Sequence, residues 1–319
     1  MGKTDDIMTF IGSGRYSDVF KVTSGRQSVV MKLSYYRNNT LSDFIAALQA
    51  GDRAGARNVK NKDSIMVSAA FANATNALVA KHASPHFVFV YCNADVRNMA
   101  ERLKTLLKDR IKSSSKVELK YNNACFLELF HMDLTKWLKS HSTTVNDTNV
   151  RNAIFAVMYT LAVLQKAYPG FRHNDLSTNN VLVKKLRKPM KAGYVFDGTS
   201  YYVPNMPVLV AINDYDFTHV PNHPSLANER VINGKYKVTE FANKTYDSHF
   251  FLKTVLRHVN SKNKNLPATR AFLKALPFQT EDRLDTTQVP GFEPEVLMKH
   301  PYFSSLRKPI PAGVDVYQL

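Results

Sequence analysis

The most specific chemical signal in the sequence is a short polar run, Phe171 to Val183, which reads FRHNDLSTNNVLV. It holds His173, Asp175 and Asn180 in the order His-x-Asp-Leu-x-x-x-Asn, and an apolar run follows directly. In phosphoryl transfer an aspartate in such a loop accepts the proton of the attacking hydroxyl, and an asparagine five residues later can coordinate a metal ion. The pattern predicts a phosphoryl-transfer centre, although a polar surface loop could share this spacing by accident.

A second acidic position follows an apolar strand-like run. Val208 to Thr218 reads VLVAINDYDFT, and its alternating apolar residues predict a buried strand that ends at Ile212. Asp214 then emerges at the end of the strand, where a Mg²⁺ ligand belongs. The alternative, Asp216, would leave Asp214 on the apolar face of the strand, so we favour Asp214 as the metal ligand.

The N-terminal part carries a candidate phosphate-binding loop. Ile11 to Val22 reads IGSGRYSDVFKV, with Gly12, Gly14 and Ser17 at the spacing of a glycine-rich loop whose backbone can approach phosphate oxygens closely. Strand-like runs on both sides argue against a dinucleotide-binding arrangement, which needs a helix after the glycines. Lys32 lies in the next strand-like run, where a charged side chain is costly unless it is paired.

These residues need a scaffold, and the periodicity of the chain indicates one. The 319 residues are 44% apolar and 22% charged, a composition typical of a globular protein. The chain is strand-rich up to about residue 130 and helix-rich afterwards, so we predict an α+β fold of two lobes. A polar, Gly-containing stretch reaches to about Asp63. The predicted strands are Ile7–Gly12, Val19–Val22, Ser28–Leu33, Phe87–Tyr91, Ala124–Leu129, Val181–Val183 and Val208–Ile212. The predicted helices are Ser64–Lys81, Asp95–Ile111, Asp133–Ser140, Asn149–Ala167 and Tyr246–Val259.

The net charge is strongly positive. Lys and Arg number 43 against 26 Asp and Glu, which gives +17 and a pI of about 9.7. Segment 97–120, with eight basic and three acidic residues, and segment 184–191, with five basic residues, together hold +10 of this excess. We predict that both are insertions that form a docking surface, for an acidic protein or for nonspecific nucleic-acid contact. Solvated surface insertions are the plainer interpretation.

The apolar runs and the cysteines indicate the cellular compartment of the protein. No apolar run is long enough to span a bilayer and the N-terminal residues lack an apolar signal core, so we expect no membrane span. Two cysteines, Cys92 and Cys125, cannot build a disulfide framework. Both lie in apolar stretches, which predicts reduced core thiols and a cytoplasmic or nuclear protein.

The order of glycine loop, strand lysine, His-x-Asp-Leu-x-x-x-Asn and strand-end aspartate resembles that of the eukaryotic-type protein kinases over nearly the whole chain. The phrases FRHNDL, SPHF and HPYF are similar to the serine/threonine kinases of large cytoplasmic DNA viruses. The resemblance implies one kinase domain over residues 1–319. Its N-lobe, 1–128, would hold a small antiparallel sheet with one main helix, and its C-lobe, 129–319, would be mostly helical. It also implies a location in the host cytoplasm or the virion.

The resemblance further implies ATP and Mg²⁺, or Mn²⁺ in its place, as cofactors for transfer of the γ-phosphate to a protein hydroxyl. Asp175, Lys32 and Asn180 would be the catalytic residues, and Asn180 and Asp214 the metal ligands. Asp247 would anchor the catalytic loop. The nucleotide would be bound by a loop, three strands and a hinge, through Gly12, Ser13, Gly14, Ser17, Val19, Val30, Lys32, Glu128, Phe130 and Leu182.

The chain departs from the kinase pattern at several positions. No glutamate precedes Glu101, so the predicted helix Ser64–Lys81 lacks the acidic residue that usually pairs with the strand lysine. Asn174 replaces the arginine that usually binds an activation-loop phosphate, which predicts activity without that phosphorylation. Ser177 replaces a lysine. Because the central polar residues of the pattern remain, we predict an active enzyme.

Two other functions stay open. A small-molecule kinase of the aminoglycoside or choline type also has His-x-Asp with an asparagine five residues later, and it too lacks the lysine. Asp247 and the HPYF phrase argue for a protein kinase instead. A catalytically dead, kinase-like binding scaffold would explain the missing glutamate.

Overall fold

The computed structural model describes residues 7–14, 17–37, 39–107, 117–232, 238–261, 266–281 and 287–319. The chain divides into two compact units. The first comprises Met1–Ala74, Phe89–Leu129 and His223–Arg230, and the second comprises Thr75–Val88, Phe130–Asn222 and Val231–Leu319. Each unit combines strands with helices, which confirms the predicted α+β class.

The strands are β1 (Ile7–Ser13), β2 (Ser17–Ser24), β3 (Gln27–Arg37), β4 (Val90–Arg97), β5 (Val117–Leu127), β6 (Met132–Asp133), β7 (Val181–Phe196), β8 (Thr199–Ile212) and β9 (Val316–Gln318). The helices are α1 (Thr40–Gln49), α2 (Arg53–Asn61), α3 (Ser64–Ala80), α4 (Met99–Leu107), α5 (Leu134–Lys139), α6 (Asp147–Ala167), α7 (Glu229–Ile232), α8 (Tyr246–Ser261), α9 (Pro267–Ala275) and α10 (Pro294–Met298). Short 3₁₀ helices cover Thr178–Asn180 and Pro301–Leu306.

The first unit is built on an antiparallel sheet of five strands in the order β1-β2-β3-β5-β4. One face of the sheet buries Phe20, Met31 and Leu33 against Ala100 and Leu103 of α4. On the other face, Ala72 of α3 packs in one cluster with strand residues that include Cys125. The sheet is therefore covered on both faces, and its alternate residues point to different helices.

Two helices occupy the polar stretch before Asp63. The carboxylate of Asp52 accepts a hydrogen bond from the backbone N–H of Gly55 (2.8 Å) at the start of α2. The sequence pattern missed both helices because α1 buries only Leu41, and α2 is strongly polar. Asp63 is buried and its carboxylate accepts from the N–H of Ile65 (2.9 Å), which fixes the start of α3 where it was predicted.

The secondary structure around the first basic segment, 97–120, differs from the predicted single helix. Strand β4 runs to Arg97, and a helix begins at Met99 and is described to Leu107, in place of one helix over Asp95–Ile111. Residues 108–111 of that prediction lie outside the described residues. Cys125 is buried as predicted, but Cys92 is exposed, because it lies on β4 at the edge of the sheet.

The second unit has a buried central helix, α6, and a sheet in which β6, β7 and β8 pair antiparallel while β9 pairs parallel with β7. Strands β7 and β8 form one long hairpin, joined by a turn at Asp197 and Gly198, where both φ angles are positive. The predicted insertion is therefore largely paired strand. The register shifts between Lys185 and Met190, so the centre of the second basic segment forms a bulge that contains Pro189.

Candidate active site

The loop that carries the His-x-Asp motif, Phe171–Asn180, lies between α6 and β7. Its residues 171–174 are buried, whereas Asp175 and Asn180 are partly exposed. The backbone of the motif is therefore part of the core, and its two functional side chains remain accessible.

A buried aspartate on α8 holds this loop. The carboxylate of Asp247 accepts hydrogen bonds from two consecutive backbone N–H groups, those of His173 (2.7 Å) and Asn174 (2.9 Å). Burial raises the pKa of Asp247, whereas the nearby charges of His173 and Arg172 and the two N–H groups act in the opposite direction. The predicted role of Asp247 as the anchor of the loop is confirmed.

Arg172 forms a second anchor that the sequence did not reveal. Its guanidinium is fully buried and donates to the carbonyl oxygens of Phe241 (2.9 Å) and Thr239 (3.3 Å). The same group lies 4.2 Å from the ring centroid of Tyr246. The backbone of Arg172 also exchanges two hydrogen bonds with that of His219. The only signal in the sequence was an arginine between an apolar residue and the histidine of the motif.

Asp175 and Asn180 are in direct contact. The side-chain amide of Asn180 donates to the carboxylate Oδ2 of Asp175 (3.1 Å) and to its backbone carbonyl (2.7 Å). The N–H of Thr178 donates to the hydroxyl of Thr254 on α8, which fixes the turn between the two residues. The structure thus brings together the proposed base and one proposed metal ligand.

Asp214 follows the buried strand β8, as the alternation predicted. The next residue after the strand, Asn213, donates its N–H to the carbonyl of Asn180 (2.9 Å), and its own carbonyl bonds to Nε2 of His173 (3.0 Å). Asp214 has a φ of 67°, a conformation that is uncommon for a residue other than glycine. Tyr215 is buried and its hydroxyl donates to the carbonyl of Ile212.

The residues present fit a magnesium ion. Mg²⁺ binds oxygen ligands and is usually held by one or two carboxylates together with substrate phosphates. The amide nitrogen of Asn180 is directed to Asp175, so its amide oxygen is the atom that can bind a cation. Among the described residues there is no cluster of three or more His, Cys, Asp or Glu side chains. A metal would therefore depend on few protein ligands and on the phosphates of the nucleotide.

Lys32 lies in the middle of β3, between Val19 of β2 and Cys125 of β5 in the sheet register. Burial raises the pKa of the Cys125 thiol to about 11, and the nearby charge of Lys32 acts in the opposite direction. Cys125 packs with Ala72, so Lys32 lies on the face of the sheet that α3 covers. Helix α3, Ser64–Ala80, contains no acidic residue.

The other proposed nucleotide contacts are spread over both units. In the glycine loop the N–H of Gly14 donates to the carbonyl of Ser17 (2.7 Å), and residues 15–16 are outside the described residues. The N–H of Glu128 donates to the carbonyl of Phe89 in the first unit. In the sheet register Gly12 pairs with Val19, Ser13 with Asp18, and Val30 with Leu127. Phe130 and Leu182 belong to the second unit.

Comparison with known proteins supports the motif assignment. Residues 145–276 match the sequence model of the poxvirus serine/threonine protein kinase family. This segment includes the His-x-Asp loop, Asp214 and Asp247. "Putative serine/threonine-protein kinase R400" of Acanthamoeba polyphaga mimivirus is 24% identical over 133 residues, which are 39% of this chain and 28% of that protein. "Putative serine/threonine-protein kinase R301" of the same virus is 31% identical over 72 residues, 22% of this chain and 18% of that protein.

Among solved structures, the kinase domain of PF14_0431 aligns with 68% of this chain and 52% of its own, at 10% identity and a TM-score of 0.33. The matches to the two mimivirus proteins each span less than a third of those proteins. The resemblance that the motifs predicted, to eukaryotic-type serine/threonine kinases of large DNA viruses, is confirmed by the family match and both relatives. The family model and both relatives carry the name of serine/threonine kinases, which is the enzyme class that the motifs predicted.

Proposed function

We propose that the protein is an ATP- and Mg²⁺-dependent serine/threonine kinase that transfers the γ-phosphate to hydroxyls of a protein substrate. The observation that carries this proposal is the contact of Asp175 with Asn180 in a loop that Asp247 anchors. The match of residues 145–276 to a viral kinase family supports it independently.

In this proposal Asp175 orients the substrate hydroxyl and accepts its proton. The contact with Asn180 holds the carboxylate of Asp175 in place. Asn180 and Asp214 hold the metal, for which Mn²⁺ could replace Mg²⁺, and a bound metal would neutralise charge on the phosphates. These roles need an accessible carboxylate and a fixed amide, and both are present.

We further propose that the nucleotide phosphates bind along Gly12–Ser17 and are paired by Lys32, while Val19, Val30 and Leu182 contact the adenine ring. The backbones of Glu128 and Phe130 would bind the adenine edge. Lys32 pairs with Val19, and Val19 pairs with Gly12 of the glycine loop, so a cationic side chain in this part of the sheet suits a role in binding phosphate.

The decisive experiment measures transfer from labelled ATP to casein. Asp175→Asn should lower the rate about 10²–10⁴-fold, as expected for loss of a general base, and Lys32→Met should also abolish most labelling. Asp197→Asn is a matched control, because Asp197 is exposed in a hairpin turn at a φ of 44°, which asparagine tolerates. Equal labelling by all four proteins would contradict the proposal.

The same assay separates the alternatives. A small-molecule kinase remains an alternative because Ser177 stands in the place of a lysine that such kinases also lack. Transfer to small alcohols without protein labelling would favour that function. Binding of ATP in a thermal-shift assay, without turnover at any metal concentration, would indicate a binding scaffold.

We also propose that the protein acts in the cytoplasm of the host cell, where the basic residues of segments 97–120 and 184–191 contact an acidic protein or nucleic acid. In the second segment Lys185, Arg187, Lys188 and Lys191 are exposed. Within the described residues, no helix combines the length and apolarity needed to cross a membrane.

A further inference from the structure

Asn174 occupies an unusual place in the catalytic loop. It is fully buried and has a φ of 66°. Asparagine tolerates this left-handed conformation better than most residues, because its short polar side chain can hydrogen-bond locally. An asparagine here therefore adopts the left-handed backbone conformation, and its side-chain amide can form hydrogen bonds inside the core.

That amide is directed to the segment after Asp214. Its Nδ2 donates to the carbonyl oxygen of Phe217 (2.9 Å), while the backbone N–H of Asn174 donates to Asp247. The backbone carbonyl of Asn174 accepts from the hydroxyl of Tyr246 at 3.4 Å. One residue thus joins the catalytic loop, helix α8 and the segment that carries the proposed metal ligand.

These bonds place Asp214 between two fixed points. On its N-terminal side, Asn213 is bonded to His173 and to Asn180. On its C-terminal side, the carbonyl of Phe217 is bonded to Asn174. Asp214 itself has a left-handed backbone, a conformation that persists when the surroundings determine it from both sides.

The bond at this C-terminal fixed point joins two neutral groups, the amide of Asn174 and the carbonyl of Phe217. The loop 171–180 contains one arginine, Arg172, and its buried guanidinium is bonded to backbone carbonyls. The hydroxyl-bearing residues of segment 213–219, Tyr215 and Thr218, are both buried. Because both side chains are buried, neither hydroxyl is presented for phosphorylation.

We propose that Asn174 is a positioning residue for Asp214, acting through the carbonyl of Phe217, and that it sets the metal-binding geometry without covalent modification of the segment. This inference rests on the proposed function, which makes Asp214 a metal ligand. It goes beyond that function by assigning a role to the residue that replaces the arginine of the kinase pattern.

The test compares Asn174→Gly with Asn179→Gly. Glycine accepts a φ of 66° without penalty and removes only the amide, whereas Asn179 is an exposed residue of the same loop. In Asn174→Gly, the Mg²⁺ concentration for half-maximal casein labelling should rise about tenfold, as expected for one lost buried hydrogen bond. The KM for casein should stay within about twofold, since substrate contacts are not altered.

Two readouts do not depend on turnover. Backbone amides of residues 213–219 should exchange hydrogen about tenfold faster in Asn174→Gly than in the wild type, and Mn²⁺ with ATP, followed by electron paramagnetic resonance, should bind more weakly by a similar factor. Asn179→Gly should match the wild type in both. Unchanged exchange and unchanged Mn²⁺ affinity in Asn174→Gly would overturn the inference.

The outcomes also separate this inference from the proposed function. If the wild type labels no protein but exchange and Mn²⁺ binding change as expected, Asn174 positions a metal site in a protein that is not a protein kinase. If the wild type is active and loses its activity on treatment with a protein phosphatase, the inference is wrong and the proposed function stands.

Discussion

The proposed phosphate-binding strands of the first unit and the catalytic loop of the second are held in place by different bonds. Lys32 and Val30 lie in a regular antiparallel ladder, whose strands are joined by main-chain hydrogen bonds. The proposed catalytic loop is instead fixed by side chains from distant parts of the sequence, Asp247 above all. A substitution in the first region should therefore change binding or turnover alone, whereas one in the second should change stability as well.

The largest effect should follow loss of the loop anchor. In Asp247→Ala, two buried N–H groups lose their acceptor, and each such group costs about 1–3 kcal/mol, so the free energy of unfolding should fall by about 4 kcal/mol. In the first unit, Asp52 also accepts from a backbone N–H, but it is exposed, and Asp52→Ala should cost about 1 kcal/mol. Urea denaturation measures both, and equal losses would refute the contrast.

Acid should weaken the second unit through His86. This residue is fully buried, bonded to the carbonyl of Val210 and to the hydroxyl of Tyr194. Burial lowers its pKa from 6.5 to about 4, with an opposing effect of the Val210 bond. The unfolded chain therefore takes up the proton first, and stability is lost as the pH falls from 6.5 towards 4, by at most about 3 kcal/mol.

The check is the pH dependence of the melting temperature between pH 7 and 4.5. His86→Gln should melt lower at pH 7 but show a shallower decline, because its side chain does not titrate. His141→Gln, at an exposed position, should decline as steeply as the wild type. If the melting temperature of His86→Gln declined as steeply as that of the wild type, His86 would not be the cause of the loss of stability in acid.

A smaller effect on stability is expected in the first region. Lys32→Met should abolish most labelling, yet its main-chain pairs in β3 are independent of the side chain. Because Met keeps most of the apolar stem, the free energy of unfolding should change by less than about 1 kcal/mol. A loss of several kcal/mol would show that Lys32 supports the fold as Asp247 does, and the contrast between the regions would fail.

The smallest effect on turnover should come from substitutions in the second basic segment, 184–191. Replacing Lys185, Arg187, Lys188 and Lys191 by glutamate alters exposed side chains, so casein labelling should stay within about twofold. Weak, salt-dependent DNA binding should fall at the same time. Reversal of the same number of exposed lysines elsewhere controls for net charge, and loss of turnover in the folded variant would contradict the separation.

The contrast also explains what the sequence could reveal. Asp175, Asn180 and Asp214 were found because a loop motif and a two-residue alternation depend on a few consecutive residues. Their proposed roles stay predictions. Several bonds that hold them join residues far apart in the sequence, such as Asn174 with Phe217, 43 positions apart, and His173 with Asp247, 74 positions apart, and no local pattern encodes such a pair.

Errors in the fold have the same origin. Cys92 was expected in the core, but strand order, which local periodicity does not report, makes β4 an edge strand. Helix α1 was missed because it lies in a stretch that is polar overall and contains glycines, and because it buries one residue. The length of the β7–β8 hairpin was underestimated. Its basic residues interrupt the alternation of apolar and polar residues from which a strand is predicted.

The distance between Asp247 and its loop has a consequence for biosynthesis. Strands β1, β2 and β3 pair with their neighbours in the chain, so they can form soon after they are made. The N–H of His173 can bond to the carboxylate of Asp247 only after 74 more residues have been synthesised. At a translation rate of about 5–20 residues per second, that interval is roughly 4–15 s. On the ribosome, therefore, the part of the chain that we propose performs the chemistry is ordered only after the strands proposed to bind the nucleotide phosphates.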